Sequence, residues 1–285
     1  MLKRITIIGA GRAGRALAAA LDRAGHNVER LVVRAAKPGA ARQTVWSENT
    51  RIDSDVVFIA TQDAEIGGAA TSLARCVGGA RPIVYHLSGA LSSDVLRQLR
   101  EIGCAVGSFH PLVSLNGAES GDPFGGAYFC LEGDAAAVDL GSSFVADLGG
   151  HAFTVLGEAK PLYHAAAVTA CGHLVALVDV ALEMLTACGV DRDAAKDVLM
   201  PLMFGTLRNI DADDTVEALT GPIARADIGT VASHLEAFPK RVSPNAVEVY
   251  LDLAVRSIEL ARVHADPVRL AELRSRILLA KSEPK

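Results

Sequence analysis

A short β-branched run, Ile5-Thr6-Ile7-Ile8, ends directly in Gly9-Ala10-Gly11-Arg12-Ala13-Gly14, and an alanine-rich segment of helical character follows from Arg12 to about Ala24. A strand, a glycine-spaced turn and a helix in that order open a parallel α/β sheet. Gly9 permits the tight turn, Gly11 lets the backbone approach a pyrophosphate, and Gly14 lets helix and strand pack closely. Arg12 and Ala13 fall in the first helical turn, where free N–H groups face bound phosphates. The pattern points to a dinucleotide.

The next stretches repeat the theme. Apolar runs at 28–34, 55–61, 82–88, 104–109 and 127–132 read as strands buried on both faces, with helical segments between most of them. The expected architecture is therefore α/β, a Rossmann-type doubly wound parallel sheet. After about Leu156 no strand is expected. Pro161 suits the first turn of a helix running to about Ala187, with further helices near 192–208, 230–235, 244–263 and 267–279. The expected boundary separates a nucleotide-binding domain, 1–156, from an all-α domain, 157–285.

Composition excludes several classes. With 28 basic and 33 acidic residues the formal net charge is −5, the wrong sign for a nucleic-acid partner, and 5% aromatic content leaves little for base stacking. The five cysteines show no Cys-x-x-Cys spacing, so they read as reduced, mostly buried thiols in a cytoplasmic protein, and no metal site is expected. The N-terminal apolar run is broken by Arg12 and Arg15, unlike a signal peptide. The most apolar stretch, 165–185, contains His173, Asp179 and Glu183, which argues against a membrane span.

Arg34 stands twenty residues after Gly14, where an NAD-binding chain usually places an acidic residue, and Lys37 and Arg42 follow. A guanidinium accepts a 2′-phosphate in a fork, so the expected cofactor is NADP(H). Thr61, Gln62 and Asp63 close the third run, and His86, Ser88 and Gly89 the fourth. Strand carboxyl ends are where open α/β sheets bind ligands. Thr61, Gln62 and Ser88 are expected on the cofactor, with Asp63 either there or capping a helix, and His86 in a structural role. His110, after the next run, is either a binding or catalytic residue or a loop-holding histidine. Lys160 and His164 share one helix face. Lys160 is either an exposed helix-start lysine or a proton-transfer group with a depressed pKa. Arg225 is either a clamp for an acidic substrate or a salt-bridge partner of Asp227.

The motifs G-A-G-R-A-G, I-A-T-Q-D, H-L-S-G-A, S-F-H-P-L, K-P-L-Y-H-A-A-A-V and T-G-P-I-A-R-A-D together resemble a branch of the 6-phosphogluconate dehydrogenase-like superfamily. Its members pair a Rossmann-like domain with a C-terminal helical domain of unknown function, and relatives include pyrroline-5-carboxylate reductase and ketopantoate reductase. The resemblance implies a cleft between the halves and a homodimer formed through the helical domain; the small-residue face of Ala165, Ala166, Val168 and Thr169 allows close helix contact, either in the core or across a dimer. It places Lys160 and His164 where related branches carry a Lys-x-x-x-Asn pair, with the lysine moving a proton. Two departures stand out. Gly172 falls where close relatives tend to carry asparagine, and Ala226 replaces a common glycine, with little consequence expected. The leading expectation is an NADPH-dependent reductase of a small keto or imino acid, ketopantoate reductase-like, with Lys160, His164 and His110 catalytic. The alternative is a non-catalytic NADP-binding sensor or assembly protein.

Overall fold

The computed structural model describes residues 3–35, 42–47, 49–115, 122–238 and 241–282. Lys37 lies outside them. The chain divides into two compact units, 1–171 and 172–285.

The first unit runs β1 (Arg4–Ile8), α1 (Arg12–Arg23), β2 (Asn27–Val33), β3 (Gln43–Val45), β4 (Val56–Ile59), α2 (Asp63–Cys76), β5 (Ile83–His86), α3 (Arg97–Glu101), β6 (Val106–Pro111), β7 (Tyr128–Gly133), α4 (Ala135–Asp147), β8 (His151–Thr154) and α5 (Lys160–Val168). The strands form one sheet in the order β3-β2-β1-β4-β5-β6-β7-β8. Every neighbouring pair is parallel except β6 with β7. The doubly wound sheet expected from the alternating runs is therefore present. Chain order reverses between β1 and β4, which puts the glycine turn at the switch point.

Alternation along β1 sorts its side chains onto two cores. Ile5 and Ile7 pack with Leu17, Phe58, Tyr85, Phe109 and Phe144, while Ile8 packs with Val57, Ile59, Ile66, Leu73, Leu96 and Leu99. Both faces of the sheet are thus dry, as continuous apolar strands require. Two strands are additions to the sequence reading. β3 sits at one edge and β8 at the other, and both are largely exposed, so neither carries the apolar run that marks a central strand. The strand expected at 104–109 lies instead at 106–111. His110 is consequently inside β6, opposite Cys130 of β7, and does not follow the strand.

α5 leads through a π turn (Thr169–His173) into α6 (Leu174–Ala187), followed by α7 (Arg192–Ala212), α8 (Ile228–Ala237), α9 (Pro244–Ala261) and α10 (Pro267–Ser282). No strand follows β8 among the described residues. The single helix expected from Pro161 to Ala187 is interrupted by the π turn, which contains Gly172. Side-chain oxygens start four helices: Asp191 accepts from the Asp193 and Ala194 N–H groups, Asp227 from Thr230, Ser243 from Ala246, and Asp266 from Val268 and Arg269. Val231, Leu251, Ile258, Leu270, Leu273 and Ile277 give the second unit its own core. Ala226 is fully buried against it at φ 49°, a left-handed backbone that glycine adopts without strain. The replacement therefore carries a conformational cost, contrary to expectation. The helical run 157–187, mean hydropathy 1.9, is long and apolar enough by length and composition to cross a membrane. All five cysteines are free; Cys76, Cys104 and Cys130 are buried, Cys171 and Cys188 exposed.

Tyr85 ties β5 to α4. Its ring stacks on Phe58 at 5.1 Å, and its buried hydroxyl donates to the Ala137 carbonyl at 2.6 Å. Tyr85→Phe keeps the ring and removes that bond, so urea unfolding should show a loss of about 1–2 kcal/mol with an unchanged slope.

Candidate active site

A crevice of about 920 Å³ opens at the switch point, bordered by the glycine turn, the ends of β2 and β4, and the start of α2. The three glycines of the motif do different work. A Cβ on Gly9, at φ 106°, would fall 2.6 Å from the Ala60 carbonyl oxygen, and one on Gly14 would fall 2.2 Å from the Gly9 oxygen. Both positions are filled by backbone. A Cβ on Gly11 would meet nothing within 4 Å. Gly11 is also the N-cap of α1 and provides no side-chain cap. Open space beside uncapped helical N–H groups is what a pyrophosphate needs, so these residues fit a dinucleotide. Gly9 and Gly11 line the crevice, Arg12 and Ala13 occupy the first turn of α1, and Gly14 packs beneath.

Thr61 and Gln62, directly after β4, line the crevice as expected. At its far end stand Arg34, Gln43 and Trp46. The Arg34 side chain is 87% exposed and pairs with Glu65 of α2 at 2.7 Å. Arg42 is engaged elsewhere. Its guanidinium is held 2.5 Å from Asp22 and its residue does not line the crevice, so Arg34 is the basic residue placed there among those described.

A second polar cluster sits where β5 and β6 end. Lys160, the first residue of α5, has no solvent exposure at all. Its Nζ donates to Ser108 Oγ at 2.8 Å and to the Ser88 carbonyl at 3.3 Å, and lies 5.2 Å from the centre of the Tyr163 ring. The exposed helix-start reading is thereby excluded. Burial pushes the ammonium below its ordinary value, against the opposing influence of Cys130, Glu132 and Asp63. Ser88 is committed to its own turn. Its buried hydroxyl donates to Asp63 Oδ2 at 2.7 Å and accepts from the Ala90 and Leu91 N–H groups, so it braces the turn after β5 and is not on the crevice wall. Asp63 opens α2 without capping it; the N-cap is Gln62.

Three rings complete the cluster. His86 is fully buried; its Nδ1 accepts the Ser88 N–H at 3.2 Å and its Nε2 meets the Ser92 carbonyl at 3.2 Å, the satisfied structural role expected of it. Burial, with the Lys160 charge second, lowers its pKa to about 3. His110 Nδ1 lies 2.6 Å from the Tyr163 hydroxyl, and burial followed by Lys160 lowers its pKa to about 4. His164 stands 6.3 Å from His110, centroid to centroid. Between the two imidazoles comes Gly89, where a Cβ would fall 2.7 Å from His164 Cδ2 and 2.8 Å from His110 Nε2. Lys160, His164 and His110 are thus brought together. Tyr163, Ser108 and Cys130 join them without having been singled out from the sequence. Tyr163 was nonetheless discoverable, three residues after Lys160 and so on the same helix face.

Arg225, in the second unit, is exposed beside Asp227. Asp227 caps α8, and His234 on that helix bonds Tyr250 at 2.8 Å. No group of three potential metal ligands occurs among the described residues.

Sheet order and glycine geometry define a Rossmann-type protein built around a dinucleotide-shaped crevice. The Rossmann-like domain model matches residues 2–111, and the model of DUF2520, a domain of unknown function, matches 127–257. The chain pairs these two domains, as the resemblance implied. No curated protein matches it in sequence. Among solved structures it is similar to a provisionally named NADP oxidoreductase of Bacteroides fragilis, at TM-score 0.70 and 22% identity over 90% of this chain and 98% of that one. It is also similar to a Plasmodium falciparum pyrroline carboxylate reductase with NADP bound, at TM-score 0.61 and 12% identity over 96% and 97%. A Streptomyces aurantiacus imine reductase matches at TM-score 0.56 and 15% identity over 97% and 93%. At these identities the likeness is one of fold.

The lowered histidine pKa values make stability acid-sensitive. Each folded value lies below the unfolded value of about 6.5, so the unfolded chain binds the extra proton as pH falls. Stability is full above that value and drops by about 1.4 kcal/mol per pH unit for each histidine until its folded pKa is reached. Urea midpoints should therefore fall between about pH 7 and 5, before carboxylates titrate, and His86→Gln should flatten the fall.

Proposed function

We propose that the chain is an NADPH-dependent reductase of a small keto or imino acid, with ketopantoate the leading candidate. The observation that carries this reading is the adjacency, along one sheet edge, of the phosphate-ready crevice at β1 and β4 and the proton-bearing cluster at β5 and β6. In open α/β sheets a dinucleotide bound at the switch point extends along the strand carboxyl ends. Similarity in fold to a pyrroline carboxylate reductase with NADP bound and to imine reductases supports the same class.

A bound reduced nicotinamide would supply the hydride. The chain's own residues do the rest. Gly9, Gly11 and the first turn of α1 would hold the pyrophosphate, Arg34 would hold the 2′-phosphate, and Thr61 and Gln62 would flank the path toward Gly89. Glu65 holds Arg34 in place before binding and would repel the phosphate it serves. His110 and His164 would stand near the reacting end, with the buried Lys160 charge beside them.

Turnover by purified protein of a panel headed by ketopantoate and pyrroline-5-carboxylate, with NADPH and NADH in parallel, tests the proposal. Oxidation of NADPH by one acid is expected. Arg34→Ala should weaken NADPH binding by about 10-fold or more and leave NADH binding nearly unchanged, since it removes one charge-assisted pair. Tight NADPH binding with no turnover across the panel favours the sensor alternative.

We further propose that the chain works as a cytoplasmic homodimer joined through its helical unit. α6 and α7 expose Val175, Val198, Leu202 and Phe204. Asp179 on α6 pairs with Arg192, and Glu183 accepts from Ser243, so polar groups of this apolar helix are satisfied within the chain. Burying such a patch against a second copy accounts for its exposure here. Light scattering of detergent-free protein should give twice the chain mass; a monomer, or protein recovered only with membranes, would sink the dimer.

A further inference from the structure

The cluster holds a phenol in contact with an imidazole, and the reductase reading leaves that contact unused. The geometry points to Tyr163 as a positioning residue that fixes His110 as the neutral Nε2–H tautomer, so that His110, relayed from Tyr163, is the group handing a proton to substrate, in place of the Lys160 ammonium. This inference rests on the reductase reading and deepens it.

Four observations converge. The Lys160 Nζ has no exposure and donates to Ser108 and Ser88, so it cannot reach a ligand without breaking that buried arrangement. The 2.6 Å contact between Tyr163 Oη and His110 Nδ1 is a short bond in which one partner must donate. The phenol is the partner with the proton to give, because burial and nearby Cys130 raise its pKa. The imidazole nitrogen is a far better acceptor than the Cys130 thiol, the other group beside the hydroxyl. With Nδ1 accepting, the ring proton of a neutral histidine stands on Nε2. That edge faces Gly89, where even a methyl group would fall within 2.8 Å. A side chain at 89 would cover the donor, and glycine leaves it clear.

Of the groups around His110, the charges of Lys160 and His164 oppose the imidazolium. Lys160, Tyr163 and His164 approach from α5, Cys130 from β7 and His86 from β5. With a pKa near 4, the imidazolium is essentially absent at neutral pH, and a relay through the neutral ring is the route open.

The step balances for a carbonyl substrate. Hydride from the reduced nicotinamide forms the new C–H bond, and the C=O π pair moves to oxygen. That oxygen takes the Nε2 proton as Nδ1 takes the Tyr163 proton, so the ring stays neutral and the phenolate is left near the Lys160 ammonium. The reverse shift, with water reprotonating Nε2, restores the starting state. A developing alkoxide is basic enough to draw a proton from so weak an acid.

The test begins with the imidazole itself. Long-range proton–nitrogen NMR of histidine-labelled protein, with His110 identified through His110→Gln, should show the Nε2–H tautomer without titration between about pH 5.5 and 8. In Tyr163→Phe the signal should move toward a tautomer mixture. An Nδ1–H pattern in the wild type, or titration near the ordinary value, overturns the assignment. With an acid that turns over, Tyr163→Phe should lower kcat by about 100-fold, the scale of general acid catalysis, with KM and NADPH binding unchanged. Unchanged kcat also overturns it. Silence of the wild type across the panel removes the reductase reading, while the tautomer measurement still decides this one.

Discussion

A charge without solvent organises the carboxyl edge of this sheet. An ammonium group taken out of water costs several kcal/mol unless polar atoms replace its hydration. Lys160 obtains that replacement from the Ser108 hydroxyl at the middle of β6 and the Ser88 carbonyl just after β5. Three elements distant in sequence must therefore meet within hydrogen-bonding distance of one atom. Ser88 can present its carbonyl because its hydroxyl is bonded to Asp63 and to the turn's own N–H groups. The placement of α5, and hence of Tyr163 and His164, follows from where that nitrogen can be satisfied.

The same charge sets the chemistry around it. His86 and His110 are both driven toward the neutral form, first by burial and second by Lys160. Tyr163 and Cys130 are held in their protonated forms by burial. The cluster contains many titratable groups, yet near neutrality these four carry no charge. Its polarity is that of oriented hydrogen bonds about a single cation, an environment in which dipoles act strongly because water does not compete.

Much of this was legible beforehand, and the exceptions have physical causes. The glycine motif and the apolar runs announced the sheet because central parallel strands are buried on both faces and cannot disguise their composition. β3 and β8 were hidden because edge strands need little apolar content; their pairing partners make them strands. His110 slid into β6 because ladder pairing with Cys130 extends the strand past its apolar run. The gathering of Lys160, His164 and His110 followed from motif positions. The partners of Ser88 and Arg42 could not be read from residue type, since each is held by a carboxylate, Asp63 or Asp22, remote in sequence. The π turn left no composition signal beyond Gly172 in an apolar helix.

The glycine turn also places two kinds of selection on six residues. Gly9 is enforced by the Ala60 backbone and Gly14 by the Gly9 backbone, so any replacement at either is rejected by the fold whether or not a ligand exists. A side chain at Gly11 would meet nothing in the protein, so a ligand is what gives that position a reason to stay glycine. A lineage that abandoned its cofactor while keeping its shape would preserve the outer two glycines and let the middle one drift. The glycine still at position 11 is therefore the one letter of the motif that reports on use, not architecture.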